Sequence, residues 1–177
     1  MLKKLTAATL FFIFTAGIVS TSLHADFFLR ISIWPKELFW PKYTDISGVS
    51  LGLPSSYGRP LVSGVDLSLL WGNSQNVHGF KLAPVCTGNK MNGLQVAIFN
   101  RAEDFKGGEL GIINMAYDFS GRQLGIYNEC DTNNGSDAQL GIVNVARRSN
   151  SGIQIGIINI MKNGFLPIFP FFNFPVY

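Results

Sequence analysis

The chain has 177 residues, of which 47% are hydrophobic and 14% are charged, and its formal net charge is +3 at neutral pH. Lys3 and Lys4 account for most of that excess, since the rest of the chain carries 12 basic and 11 acidic side chains. The pair Arg147-Arg148 is too short a basic run to neutralise a phosphate backbone. The charge distribution therefore argues against nucleic acid as a partner.

The first 25 residues have the layout of a secretory signal peptide. Two lysines precede an apolar run over residues 5–19, and a polar exit of mostly small residues ends at Ala25. The apolar run is shorter than the roughly twenty residues that a membrane-spanning helix needs. We therefore expect residues 1–25 to be removed after Ala25, and the protein to be exported to the periplasm, the outer membrane or the cell surface.

Residues 26–47 form an aromatic segment ahead of the main body of the chain. They include Phe27, Phe28, Trp34 and Trp40. The strands that follow would leave an unpaired edge at the start of their stack. We therefore predict an N-terminal aromatic cap over residues 26–47, with membrane or partner contact by the same aromatics as the functional alternative.

An eight-residue unit recurs between residues 48 and 163. Its positions hold Gly, any residue, Gln or another polar residue, an aliphatic residue, a small residue, two apolar residues and Asn. The clearest copies are residues 93–100, 107–114, 121–128, 137–144 and 152–159, and weaker copies are residues 48–55, 64–71 and 79–86. The copies start 14 to 16 residues apart. This regular period predicts a repeat array over residues 48–163.

Within each unit apolar and polar residues alternate as in a β-strand. The same alternation recurs in every unit at a regular period. This predicts an all-β fold, a β-solenoid of about eight coils with aromatic end caps. The fourth and sixth positions are expected to fill the interior, beside an eighth-position ladder of Asn100, Asn114, Asn128, Asn144 and Asn159. The third position is expected to form an exposed polar face of Gln95, Glu109, Gln123, Gln139 and Gln154. The alternative folds are an antiparallel β-meander and an outer-membrane β-barrel, whose strands have a similar length.

Residues 164–177 are rich in Phe and Pro. Pro167, Pro170 and Pro175 oppose the addition of further strands, because proline cannot donate a ladder hydrogen bond. We predict a C-terminal Phe/Pro-rich cap over this segment. Membrane association through its aromatic side chains is again the functional alternative.

Three patterns are typical of chemical sites, and each has a simpler explanation. Residues 48–52 match the G-x-S-x-G motif of hydrolases, but Ser50 lies in phase with the repeat and no helix is predicted after it. The period places His78 and Cys86 at opposite ends of a strand, too far apart for a base and its nucleophile. Residues 131–137 are rich in oxygen ligands but lack the spacing of a calcium loop. We therefore predict no catalytic residue, no metal ligand and no cofactor.

The repeat also makes a prediction about the two cysteines. Cys86 ends the third unit and Cys130 follows the sixth, which separates them by three coils, or about 14 Å at the usual strand spacing. A disulfide needs Cα atoms within about 7 Å. We expect two free, buried thiols.

The motif and both ends resemble the bacterial surface repeat-containing proteins. The resemblance rests on G-x-Q-Φ-G-Φ-x-N every 14 to 16 residues, on the aromatic opening of residues 28–35 and on the Phe- and Pro-rich close after residues 155–164. It covers nearly the whole chain after residue 25, although Ala83 and Ala97 replace Gly and Cys86 replaces Asn. The resemblance implies export and an envelope or surface setting, and it implies no activity.

These observations together predict an exported, non-catalytic structural or interaction protein of the bacterial cell envelope or surface. Its partner is an unidentified envelope or surface component. Repeat arrays present extended surfaces, so a small-molecule pocket is not expected. The alternative function is that of an outer-membrane β-barrel protein.

Overall fold

The computed structural model describes residues 27–33, 36–39, 44–133, 137–149 and 152–176. The predicted signal peptide, parts of the N-terminal cap and the middle of the loop over residues 131–137 lie outside these ranges. The described residues form ten strands and no helix: β1 Phe27–Ile33, β2 Lys36–Phe39, β3 Ile46–Leu53, β4 Ser55–Ser68, β5 Trp71–Leu82, β6 Val85–Leu124, β7 Tyr127–Asn133, β8 Asp137–Ser149, β9 Gly152–Met161 and β10 Ile168–Asn173.

The repeat units stack in chain order with parallel strands. Gly48 of β3 lies beside Gly64 of β4, and Gly64 lies beside Gly79 of β5, so equivalent positions of successive units are aligned. The long strand β6 runs through several coils without a break. The chain is therefore a β-solenoid of about eight turns, as its period predicts. The parallel register contradicts the antiparallel meander and the barrel that the strand pattern alone also allowed.

A further strand lies at each end of the stack. β1 is parallel to β3, with Ile31 beside Leu51, and β2 is antiparallel to β1 at the outer edge. At the other end β10 is antiparallel to β9. Rings of the C-terminal segment contact one another around β10: Phe165, Phe169, Phe172 and Phe174. These strands occupy the two edges that the terminal segments were predicted to cover.

Apolar side chains fill part of the narrow interior. One column lies two residues before the start of each of the first six units and contains Ile46, Val62, Val77, Met91, Phe105 and Phe119. A second column lies two residues after each asparagine of the ladder and contains Ala102, Ala116, Cys130, Ala146 and Met161. The two columns form one buried cluster, in which the rings of Phe105 and Phe119 stack with centroids 5.7 Å apart.

The aliphatic residues of the fourth and sixth positions lie outside the coil, and the prediction that they fill the interior is wrong. Leu124 and Ile126 are 46% and 50% exposed, whereas Asn128 is fully buried. The cause is a corner at Ile126, where β6 has ended and β7 is about to begin. Ile126 and Tyr127 are consecutive and neither is buried, so the corner shifts the inside-outside alternation by one residue. Asn128 therefore points inward although Ile126 points outward.

A glycine begins most units because adjacent coils approach closely at that point. Gly107 has φ 128°, and a Cβ added there would lie 2.0 Å from the carbonyl oxygen of Gly93 in the preceding coil. The next residue, Gly108, has no such restriction, since its added Cβ would meet only the end of the Leu94 side chain at 3.1 Å. Only the first of these two glycines is required by the backbone.

We expect Gly107→Ala to destabilise the protein by roughly 1–3 kcal/mol or more, because it combines backbone strain with a clash between coils. The adjacent Gly108→Ala is the matched control and should have a clearly smaller effect. Chemical denaturation of both variants measures the difference. Equal stability of the two variants would contradict the stacking described here.

Candidate functional site

Five asparagines form a continuous hydrogen-bonded ladder along the axis of the solenoid. All five are completely buried: Asn100, Asn114, Asn128, Asn144 and Asn159. In the first four, Nδ2 donates to Oδ1 of the asparagine in the next coil, and all four of these distances are 2.8 Å. The same four Nδ2 atoms also donate to the carbonyl oxygen of the fourth position in the next coil, as Asn128 does to Leu140 at 3.0 Å. The last, Asn159, donates to the carbonyl oxygens of Gly156 and Phe169. One carboxamide thus joins two coils and satisfies a backbone group at the corner.

The third-position residues do not form an exposed polar face, and that prediction is corrected by their burial. Each is at most 3% exposed: Gln95, Glu109, Gln123, Gln139 and Gln154. Nε2 of Gln154 donates to Oε1 of Gln139, and Nε2 of Gln139 donates to Oε1 of Gln123, both at 2.7 Å. Each of these Nε2 atoms also donates to a backbone carbonyl at 3.2 Å. A buried polar group is tolerated when it is paired in this way.

The two ladders run in opposite directions. Asparagine amides donate toward the C-terminal end, whereas glutamine amides donate toward the N-terminal end. The glutamine ladder ends where Nε2 of Gln123 donates to Oε2 of Glu109 at 2.7 Å. Oε1 of Glu109 has no hydrogen-bond partner among the described residues. Burial raises the pKa of Glu109 to about 7, and the hydrogen bond from Gln123 offsets part of that rise.

Charged side chains occupy the same interior column in the earlier coils. Arg30 donates to the hydroxyls of Ser50 and Ser74 at 2.9 and 2.8 Å. Nζ of Lys81 donates to the carbonyl oxygens of Ser74 and Thr87. Burial lowers the pKa of Lys81, although Asp66 acts in the opposite direction. The sequence pattern did not reveal this cluster, because Ser50, Asp66 and Lys81 fill a position that holds Gln in the clearer copies.

The residues with candidate catalytic chemistry are not assembled into a site. Ser50 of the G-x-S-x-G match is fully buried and is held by Arg30. His78 is exposed and belongs to β5, whereas Cys86 is fully buried inside the coil. Both cysteines are free, as the period predicts, and burial raises the thiol pKa of Cys86 to about 11 and of Cys130 to about 12.

The described part of the calcium-like loop carries ion pairs instead. Asp131 lies 3.4 Å from the guanidinium nitrogens of both Arg147 and Arg148, and Arg147 also bonds Glu129 at 2.9 Å. Within the described ranges, no three His, Cys, Asp or Glu side chains are grouped so that they could hold a metal ion. Glu129, Asp131 and Arg147 border an open depression of about 560 Å³. We name this side of the coil, lined by Arg101, Glu103, Glu129, Asp131 and Arg147, the charged face.

The side chains of the fourth and sixth positions form a second surface. In the later coils its side chains are 42% to 63% exposed: Leu110, Ile112, Leu124, Ile126, Leu140, Ile142, Ile155 and Ile157. Leu53, Leu69, Leu82 and Ile98 extend the two rows into the earlier coils. We name this surface the aliphatic face. Contiguous apolar surfaces of such extent are unusual on monomeric proteins and mark sites of interaction.

Comparison with known proteins assigns no relationship. No family model matches the chain. No curated protein and no solved structure matches it either. In the described residues, no helix is both long and apolar enough to span a membrane.

The asparagine ladder should carry part of the stability. We expect Asn128→Ala to lower the free energy of unfolding by roughly 1–3 kcal/mol, because it removes the buried hydrogen bonds that Asn128 makes with Asn114 Nδ2, Asn144 Oδ1 and Leu140 O. Asn92→Ala is the control, since Asn92 is an exposed asparagine of the same array. Denaturation curves measure both variants. An Asn128→Ala variant as stable as the control would contradict the role of the ladder.

Glu109 should make stability depend on pH. Its pKa is about 7 in the folded protein against an ordinary value of 4.5, so stability is greatest below 4.5, falls between 4.5 and 7, and levels off above 7. The loss amounts to about 3 kcal/mol at 1.36 kcal/mol per pH unit. Glu109→Gln removes the titration and should exceed the wild type in stability at pH 8 but not at pH 4. Identical pH profiles for the two proteins would disprove this assignment.

Proposed function

We propose that the protein is exported to the bacterial cell envelope or surface and acts there without catalysis, as a structural or interaction protein whose contact surface is the aliphatic face. The observation that carries this proposal is the pair of exposed Leu and Ile rows, which continue through successive coils in register. A folded chain that leaves these rows in water gives up hydrophobic stabilisation, which contact with a partner recovers.

The distribution of polar side chains supports the same proposal. Most of the buried amide groups of the repeat, together with Lys81 and Glu109, point into the coil and bind one another or the backbone. Their hydrogen bonds hold coils together. The groups outside the coil are aliphatic on one face and ion-paired on another. Surfaces of this kind act through contact area.

The sequence supplies the support for location. Lys3 and Lys4 ahead of residues 5–19, with a small-residue exit at Ala25, are typical of an exported chain. The similarity of the repeat to bacterial surface repeat-containing proteins favours the same setting. The N-terminal segment and the similarity of the repeat support the proposed location, whereas the aliphatic face supports the proposed contact with a partner.

The full chain should therefore be recovered in the envelope fraction of a Gram-negative expression host, periplasm included, and its contact there should depend on the aliphatic face. We expect the double variant Leu124→Glu, Ile126→Glu to lose the cross-links to a partner that the wild type forms there, because two charges would have to be desolvated on contact. Tyr117→Glu is the control, since Tyr117 is equally exposed but borders the depression of the charged face. Wild-type protein found only in the cytoplasm would contradict export, and a double variant that keeps those cross-links would contradict contact through this face.

A further inference from the structure

The aliphatic face is large enough and regular enough to define what covers it. Its fourth-position row begins at Ile31 in β1, continues through the eight units and is flanked at the far end by Phe172, which pairs with Ile155. The ten layers formed by β1, the eight units and β10, spaced about 4.8 Å apart, give a length of roughly 40 Å, and the second to sixth positions give a width of roughly 15–20 Å. The resulting area of roughly 600–800 Å² approaches the ~800 Å² that each partner contributes to a stable protein interface.

Charge is nearly absent from this surface. Among the second, fourth and sixth positions of all eight units, only Arg122 is charged, and it lies in the outer, second-position row. An apolar partner therefore covers the fourth and sixth positions without burying an unpaired charge. A membrane surface is a poorer fit, because peripheral lipid-binding faces are bordered by several Lys and Arg residues. The charges elsewhere on the coil are of both signs and include paired ones.

We infer that the aliphatic face is covered by a second copy of this chain in a face-to-face dimer; this deepens the proposed contact function and rests on it. Two copies present rows with the same spacing between coils, so the side chains of one copy fit between those of the other. A two-fold axis through the centre of the face brings the same central coils of both copies together, which closes the assembly at two subunits. Two sheets packed in this way lie about 10 Å apart, as in a β-sandwich.

The test uses the exported full chain and a residue near the centre of the face. Ile112 is 47% exposed and lies in the sixth-position row. We expect the wild type to sediment as a dimer, and Ile112→Glu to raise the dimer dissociation constant about tenfold or more, since the two-fold axis places the carboxylates of both copies near each other. Ile112→Lys should weaken the dimer in the same way. An equimolar mixture of the two variants should regain dimers, and Tyr117→Glu on the charged face should leave the wild-type constant unchanged.

The outcomes separate the possible occupants. Melting curves identify any variant that does not fold, and Leu124→Glu then replaces Ile112→Glu. A wild type that is monomeric at its highest soluble concentration overturns the dimer, as does dimerisation that Ile112→Glu leaves intact. A monomeric wild type that floats with phosphatidylcholine vesicles while Ile112→Glu does not assigns the face to lipid. If the face binds lipid, recovery in the envelope fraction still supports the proposed contact function. A dimer found only in the cytoplasm would contradict the proposed function but would leave the inference of a dimer intact.

Discussion

The hydrogen bond between asparagine carboxamides of adjacent coils is the interaction on which the rest of this structure depends. The interior combines apolar columns with buried polar side chains, and the fourth-position carbonyl oxygens at the corner accept hydrogen bonds from the asparagine side chains. The amide of Asn114 satisfies such a carbonyl at Leu124 and at the same time binds Oδ1 of Asn128. Both bonds reach the next coil, so each asparagine fixes the position of its neighbour. The aliphatic face can lie outside because this polar interior already holds the coils together.

The ladder also explains the glycine at the fifth position. A Cβ added to Gly125 would lie 2.5 Å from the carbonyl oxygen of Gly111 and 2.6 Å from Nδ2 of Asn114, both in the preceding coil. A backbone oxygen and an asparagine carboxamide of the preceding coil crowd Gly111, Gly141 and Gly156 in the same way. Ala97 occupies this position where the preceding coil supplies Cys86 instead. The glycine at the fifth position and the asparagine at the eighth position of the preceding unit are therefore in contact between neighbouring coils. Where Ala97 replaces the glycine, Cys86 replaces that asparagine.

Period and strand register could be predicted from the sequence, because identical residues recur at identical spacing and parallel stacking aligns them. The asparagine ladder and the free cysteines followed from that register. Which side chains face inward could not be predicted, because a strict alternation of inward and outward residues was assumed to continue past Ile126. At that corner the alternation shifts by one residue. Leu124 and Ile126 were therefore placed inside, and Gln123 and Gln139 outside, opposite to what the structure has. Hydrophobicity reinforced the error, since the buried third position is filled by paired amides while the aliphatic fourth and sixth positions lie outside.

The opposite directions of the two amide ladders have an electrostatic consequence for the length of the array. Carboxamide dipoles aligned along one axis would add up, so a single ladder would grow a larger dipole with every coil and accumulate partial charge at its ends. Here the dipoles of Asn128 and Asn144 oppose those of Gln139 and Gln154. Each added coil contributes one dipole of each sense, and their sum stays small. An array built in this way can gain or lose a coil without an electrostatic penalty that increases with its length.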